Sequence, residues 1–393
     1  MIFKYKFLII INILKYLTVF IFFTSFSFTN IRYIDEIFEN IIKTENIVYA
    51  NSPDLPFIFL LESNTYDINL DMDIYEPDEY EIISRPAIIF LHSGSFFTGN
   101  NELDDMVDLA ESAARRGYVA ITLNYRLGLN ILSSYSGERA VYRGVQDLSA
   151  AIRFLRHNQS DFNINPEQVF VWGSSAGAII GLHMAFSEDD ERPQSTYGQW
   201  GDPDLGCIDC EGNNLQYSSR PNAVISCWGA IGDLEWIEQD HQVPLIFFHG
   251  TSDFIVPHDI GFPFTANITL PIIYGSSAIS ERLTELNIIH HYYLAENQGH
   301  EYYGTAGGTW IDGPNEYFYD IQDNVYEFLY NLIDIYILGD LNSDELVNIS
   351  DVIIIINFIL NTDMSTENLD LNSDGLINIL DIIYIVNIIL VNS

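Results

Sequence analysis

Through the middle of the chain, short unbroken apolar runs alternate with longer stretches in which apolar positions recur every three or four residues. Runs at 87–91 and 118–123 are separated by a helical pattern over 103–116, and a second helical pattern over 143–157 precedes the run at 169–172. Three further runs follow at 223–228, 243–248 and 288–294. A strand that is apolar on both faces is one covered on both faces, so this alternation predicts a mostly parallel sheet flanked by helices. Residues 66–75 differ: they alternate polar and apolar, as a half-exposed strand does. Residues 31–51 show no clear period, which sets the expected start of the globular pattern at about Ser52.

The N-terminal 30 residues carry Lys4 and Lys6 ahead of an apolar run over 7–23. This is the pattern of a secretory signal peptide, with an uncleaved N-terminal anchor as the alternative, because Asn12 and Lys15 interrupt the run. A secreted, extracellular or cell-surface location is the expectation. The formal net charge is -39, from 55 acidic against 16 basic residues, and no stripe of lysine or arginine stands out. Such a chain repels phosphate backbones, which excludes nucleic acid as a partner. Cys207 and Cys210 sit in a Gly/Asp/Asn-rich loop where an exported chain could close a small disulfide ring, whereas a zinc site would need more ligands nearby. Cys227 lies in an apolar run and reads as core.

Chemistry enters with Gly173-Ser174-Ser175-Ala176-Gly177, which stands between the run 169–172 and a helical pattern through Ile179, Ile180, Leu182 and Met184. Strand, sharp turn and helix are the context in which a Gly-x-Ser-x-Gly exposes a serine hydroxyl at the end of a sheet. His92-Ser93-Gly94-Ser95 follows the first apolar run, His249-Gly250-Thr251-Ser252-Asp253 the run at 243–248, and Asn297-Gln298-Gly299-His300 the last run. The remaining histidines lack partners: His290 and His291 are adjacent on a strand and point to opposite faces, and His92 reads as structural.

Together these segments resemble the α/β-hydrolase superfamily, specifically its carboxylesterase and feruloyl-esterase-like members, over residues 52–337. The resemblance implies a catalytic triad of Ser175, Asp253 and His300, in the chain order usual for that fold, and oxyanion donors at Gly94, Ser95 and Ala176. It implies a serine carboxylic-ester hydrolase acting through an acyl-enzyme, without a catalytic cofactor. A lipase or polyester hydrolase is the alternative within enzymes, and a catalytically silent binding or adhesion module the alternative outside them. An insertion over 187–221, with Tyr197, Trp200 and the two cysteines, is placed to shape substrate access. The aromatic segment Tyr302, Tyr303 and Trp310 either faces a flat acyl group or packs loops.

At Gly339 the character of the chain changes. Asp340, Asn342, Asp344, Asn348 and Asp351 stand at loop positions 1, 3, 5, 9 and 12, with the Leu346 carbonyl at 7. The same spacing returns at Asp370, Asn372, Asp374, Asn378 and Asp381, with Leu376 at 7. Oxygen ligands so spaced, each set followed by an apolar helix, suit calcium. The repeat resembles a type I dockerin over 338–393, a small all-α module holding two structural calcium ions and docking to a cohesin-like protein. The residues at positions 10 and 11, Ile349/Ser350 and Ile379/Leu380, depart from the Ser/Thr pairs of familiar cellulosomal dockerins, so cohesins of that kind are not the expected partner. By association with dockerin-borne enzymes, the implied substrates are acetyl or feruloyl esters of polysaccharides.

Overall fold

The computed structural model describes residues 30–55, 62–78, 84–130, 132–198, 201–266, 268–333, 339, 341–342, 347–360, 369, 371 and 376–391. The expected signal peptide lies outside the described residues. Eight strands form one sheet: β1 (Ile41–Asp54), β2 (Tyr66–Pro77), β3 (Arg85–Leu91), β4 (Val119–Leu123), β5 (Ile164–Ser174), β6 (Ala223–Cys227), β7 (Leu245–Gly250) and β8 (His290–Ala295). Their order across the sheet is β1-β2-β4-β3-β5-β6-β7-β8. β1 and β2 run antiparallel, as do β2 and β4, and every later pair is parallel.

Every residue of β3, β4, β6 and β7 is buried. Helices on both faces do this. α1 (Asp104–Arg115) and α5 (Glu316–Tyr330) cover one face through Met106, Leu109, Ile321 and Val325. α2 (Ser134–His157), α3 (Ala176–Phe186) and α4 (Ser276–Glu285) cover the other through Val145, Leu148, Ile180 and Ile279. Fully burying one such aliphatic side chain contributes about 1.5–3 kcal/mol, so the two faces together dominate stability.

Three expectations need correction. The sheet begins at Ile41 rather than near Ser52, and Tyr33 and Phe38 ahead of it are buried. β1 pairs with β2 and shifts register twice, so its side chains do not keep a strict period of two. β8 is the edge of the sheet and is only half-buried, although its apolar run suggested a covered strand. α2 starts at Ser134, well before 143, capped by the Ser133 side chain accepting from the Ser136 amide. Its extra turns and the turn that follows bury Arg139 and Arg143 beside Ala140 and Tyr142.

Those arginines are paired by Glu62. Its carboxylate takes Arg143 Nη1 at 2.9 Å on one oxygen and Arg139 Nε at 2.5 Å on the other. Further along the same helix, Arg153 donates to the carbonyls of Glu211 and Asn213, and Arg156 to those of Pro166 and Ser218. Arg139 also reaches the carbonyls of Ser195 and Pro203. One face of α2 thus pins the insertion 187–221 by its backbone, and the Cys207–Cys210 disulfide closes the insertion's tip. Glu62→Gln leaves two buried guanidinium groups without their counter-charge. The expected cost is about 3–5 kcal/mol in urea unfolding, and a change under about 0.5 kcal/mol would mean that the pairing is not needed.

Candidate active site

β5 ends at Ser174, and the next residue turns the chain into α3 with φ 52° and ψ −109°. A positive φ is strained for serine and persists only where its surroundings enforce it. Two glycines do so here. A Cβ on Gly173 would lie 2.3 Å from the Ala178 nitrogen, and one on Gly177 would lie 2.1 Å from the Leu91 carbonyl oxygen. The close approach of strand and helix is therefore available only to glycine at both positions. The Ser175 amide donates to Cys227 O at 3.0 Å, which ties the turn to β6.

β7 and β8 are parallel neighbours, with Ala295 opposite Gly250, so the loops that follow them emerge side by side. Ser252 N donates to Gln298 O at 2.8 Å and Asn297 N to Thr251 Oγ1 at 2.7 Å, which clips the two loops together. The result brings the three predicted residues into one line. His300 Nε2 is 2.8 Å from Ser175 Oγ, and His300 Nδ1 is 2.7 Å from Asp253 Oδ2. Asp253 Oδ1 accepts the amides of Ile255 and Val256 at 2.8 and 3.0 Å.

A fourth residue meets this line. His249 is fully buried, with Nδ1 2.8 Å from Ser276 Oγ and Nε2 3.0 Å from Val256 O and 3.3 Å from Asp253 Oδ2. Burial by itself would raise the pKa of Asp253. The bonds from His249 and then His300 outweigh it and hold the carboxyl well below the usual carboxylate range. Sequence reading placed His249 only as part of a strand end; its relation to Asp253 arises from a turn that folds i+4 back onto i.

After β3 the chain makes a tight turn in which Phe97 N and Thr98 N donate to Gly94 O. Gly94 has φ +116°, and a Cβ there would lie 2.0 Å from Thr98 O. The Ser95 amide stays outside this turn, and the Ala176 amide, first in α3, has no partner within the helix. Ser95 and Ala176 line the same cavity as Ser175, and the Gly94 carbonyl closes the turn beside them. His92 lies beneath, its Nδ1 2.6 Å from Ser93 O and its ring stacked on Tyr125 at 4.2 Å. Burial lowers its pKa to about 4, so it is neutral and structural.

The cavity has a volume of about 310 Å³ and runs between α3, the N-terminal half of α2 and the insertion. Ile208, between the two bonded cysteines, forms part of its wall. Tyr302, Tyr303 and Trp310 do not. Tyr302 and Tyr303 pack on Trp228 at 5.1 and 4.6 Å, and Trp310 packs on Phe318 at 5.0 Å. Tyr303 donates to Asp105 Oδ2 at 2.6 Å, and Trp228 Nε1 to Ser174 Oγ at 3.0 Å. Burial, against the pull of the Tyr303 hydrogen bond and with the help of the Glu301 charge, pushes Asp105 up to about 8.

Among the described residues, the group of acidic side chains close enough to share a cation is Glu45, Asp73 and Glu102. Lys43 already occupies it, 2.9 Å from Asp73. In the C-terminal segment, α6 (Ile349–Leu360) and α7 (Ile379–Val391) pack through Val352, Ile355 and Ile385. Of the predicted calcium ligands, Asp340, Asp344, Leu346, Asp370, Asn372 and Asp374 lie outside the described residues. Asn342, Asn348, Leu376 and Asn378 are described beside Asp351 and Asp381. The carboxylates of Asp351 and Asp381 are fully buried and fold their loops inward, accepting the amides of Leu341 and Asn348, and of Leu371 and Asn378. No lysine or arginine occurs in 338–393. Buried carboxylates with no basic residue in their own segment fit a hard divalent cation.

Residues 72–242 match the BD-FAE family model, and residues 338–390 match the type I dockerin domain. Neuroligin-like protein glit-1 of Caenorhabditis elegans is 36% identical over 136 residues, which is 33% of this chain and 17% of that protein. The para-nitrobenzyl esterase of Bacillus subtilis (strain 168) is 32% identical over 113 residues, 28% of this chain and 23% of that protein. The chain thus spans less than a quarter of the length of these relatives. Among solved structures, Thermogutta terrifontis esterase 2 phosphorylated by paraoxon superposes with a TM-score of 0.51 at 20% identity, covering 77% of this chain and 98% of that one.

The fold is an α/β-hydrolase fold, with a mostly parallel sheet between two helical layers and a serine at the strand-to-helix turn. Within it residues 72–242 are similar to the BD-FAE family model, and residues 338–390 to the type I dockerin model.

Asp105 generates a stability prediction. Its folded pKa, about 8, exceeds the unfolded value of about 4. Between these the folded state binds more protons than the unfolded one, so Asp105 makes stability fall as pH rises from about 4 to about 8. Asp105→Asn keeps an acceptor for Tyr303 and removes the titration. The drop in Tm from pH 5 to pH 8 is expected to be smaller in the variant than in the wild type; equal drops would contradict the assignment.

Proposed function

We propose that this protein is a secreted serine carboxylic-ester hydrolase, acting on acetyl or feruloyl esters of polysaccharides and docked to a partner through its C-terminal segment. The observation that carries the reading is the unbroken chain of contacts from Ser175 Oγ through His300 to Asp253, at 2.8 and 2.7 Å. In the first half-reaction His300 Nε2 takes the Ser175 proton as Oγ bonds to the ester carbonyl carbon. The oxyanion would be met by the Gly94, Ser95 and Ala176 amides. Asp253 stabilises the imidazolium, which then gives its proton to the departing alcohol. Water repeats the sequence on the acyl-enzyme, releasing the acid and restoring Ser175.

Type I dockerin domains bind calcium and cohesins. In this chain two ions would be held by Asp340, Asn342, Asp344, Asn348, Asp351 and the Leu346 carbonyl, and by Asp370, Asn372, Asp374, Asn378, Asp381 and the Leu376 carbonyl. When bound, calcium neutralises the clustered carboxylates. Exposed Ile353, Ile356, Ile383 and Leu380 supply apolar surface for a cohesin-like protein. An extracellular or cell-surface location agrees with such a module.

The decisive measurement is hydrolysis of p-nitrophenyl acetate, methyl ferulate, acetylated xylan and long-chain esters by the wild type and Ser175→Ala. The variant is expected to lose at least about three decades in kcat. Undiminished turnover would remove Ser175 from its role, preference for long-chain esters would favour a lipase, and wild-type inactivity on the whole panel would favour a silent binding module. Chelation of the full-length protein is expected to open 338–393 to proteolysis while p-nitrophenyl acetate turnover persists. Equal protease resistance with chelator and with calcium would sink the calcium assignment.

A further inference from the structure

Three segments beside the Ser175 cavity differ from the rest of an acidic chain. Residues 93–101, 127–137 and 254–280 supply Ser95, Phe96, Leu129, Ile255, Phe264 and Leu270 to the lining. Together they carry one charged residue, Asp259, although 18% of the chain is charged. The charged residues of the lining, Glu138, Glu188, Glu191, Arg192 and Asp233, come from outside these segments.

The three segments touch one another. The amides of Gly128 and Leu129 donate to Phe96 O at 2.7 and 3.1 Å, which joins the first two. A Cβ on Gly137 would lie 3.2 Å from the Leu270 side chain, which brings the second against the third. Each also turns large apolar side chains to solvent: Phe97, Leu132, Phe254, Ile260, Ile268 and Ile272. Leu132 and Ile268, both 77% exposed, exceed every other large apolar residue described. A single exposed leucine needs no explanation. An uncharged rim of such residues beside a catalytic serine, on a chain of net charge -39, does.

The rim restricts what can cover it. An anionic surface is repelled by the acidic chain, and a dissolved polar solute gains nothing from protruding isoleucine, leucine and phenylalanine. A fluid, uncharged acyl layer takes up such side chains and carries no charge to be repelled. Where that layer consists of esters, it meets the rim next to the cavity that holds Ser175. We propose that this rim seats the protein on the surface of a water-insoluble, neutral glyceride, and that Ser175 hydrolyses esters in that aggregated state as well as dissolved ones. In each turnover the acyl group passes to Ser175 Oγ, the glyceride oxygen leaves with the proton from His300, and water then releases the acid.

The activity rests on the esterase reading, and adsorption is measured apart from it. Full-length Ser175→Ala is mixed with emulsified tributyrin, and its depletion from the aqueous phase is followed with and without Leu132→Ser and Ile268→Ser. Removing these two exposed side chains is expected to weaken adsorption at least about tenfold. With Ser175 intact, tributyrin turnover is expected to rise sharply once the ester exceeds its solubility. The paired substitutions are expected to remove that rise while p-nitrophenyl acetate turnover stays within about twofold, since both lie on exposed side chains outside the triad. Turnover of p-nitrophenyl acetate without adsorption to the droplets, adsorption that the substitutions leave unchanged, or a tributyrin rate that passes the solubility limit smoothly overturns the proposal. A change from dimer to monomer on substitution, with adsorption intact, overturns it in favour of a second copy of this chain on the rim. Hydrolysis of neither ester, beside adsorption that the substitutions weaken, overturns the esterase reading and supports the docking surface.

Discussion

The site depends on one backbone conformation, the left-handed turn at Ser175. That turn exists because β3, β5 and α3 approach so closely that no side chain fits at Gly173 or Gly177. The approach in turn requires a sheet apolar on both faces, since only a strand covered from both sides brings a helix down onto its end without stranding polar backbone. The strain at Ser175 is thus offset by the packing of the whole central sheet. The geometry of a single hydroxyl becomes a property of the fold rather than of a loop.

The other half of the constellation is built differently. Asp253 and His300 sit on loops, and loops position side chains poorly unless something holds them. Here the holding is polar: two loops clipped by backbone hydrogen bonds, with Asp253 fixed by two amides, His249 and His300 at once. A carboxylate so fully hydrogen-bonded stays ionised although buried, and it can therefore orient the imidazole. The acidic chain uses its few cations with similar economy. Arg139, Arg143, Arg153 and Arg156 are used inside, on backbone carbonyls and Glu62, and they turn an insertion whose regular structure is short 3-10 turns into a wall.

What could be read from the sequence follows from what each element had to satisfy. β3 to β7 were legible because burial on both faces demands unbroken apolar runs, and the turn at Ser175 because steric exclusion writes two glycines into the chain. β1 was not, since an edge-proximal strand with two register shifts has no periodic burial to display. The first turns of α2 were hidden because buried arginines, Arg139 and Arg143, interrupt the apolar period there. The same limit applies at the site. Ser175, Asp253 and His300 lie at strand ends and carry a recognisable order, whereas His249 and Asp105 take their places from contacts made only in three dimensions: a second bond to a carboxylate, and a buried carboxyl held by Tyr303.

α3 serves the site twice, and the two uses constrain each other. Ser175 stands at its N-terminal edge, and two turns later the same face presents His183 to the same cavity. The backbone positions of Ser175 and His183 are thereby held by one helix, which no loop motion alters. The opposing wall comes from the insertion, pinned at intervals by arginines and closed by the disulfide, and it can vary without disturbing that spacing. A cavity made of one rigid edge and one replaceable edge can change its breadth while the helical edge keeps its place.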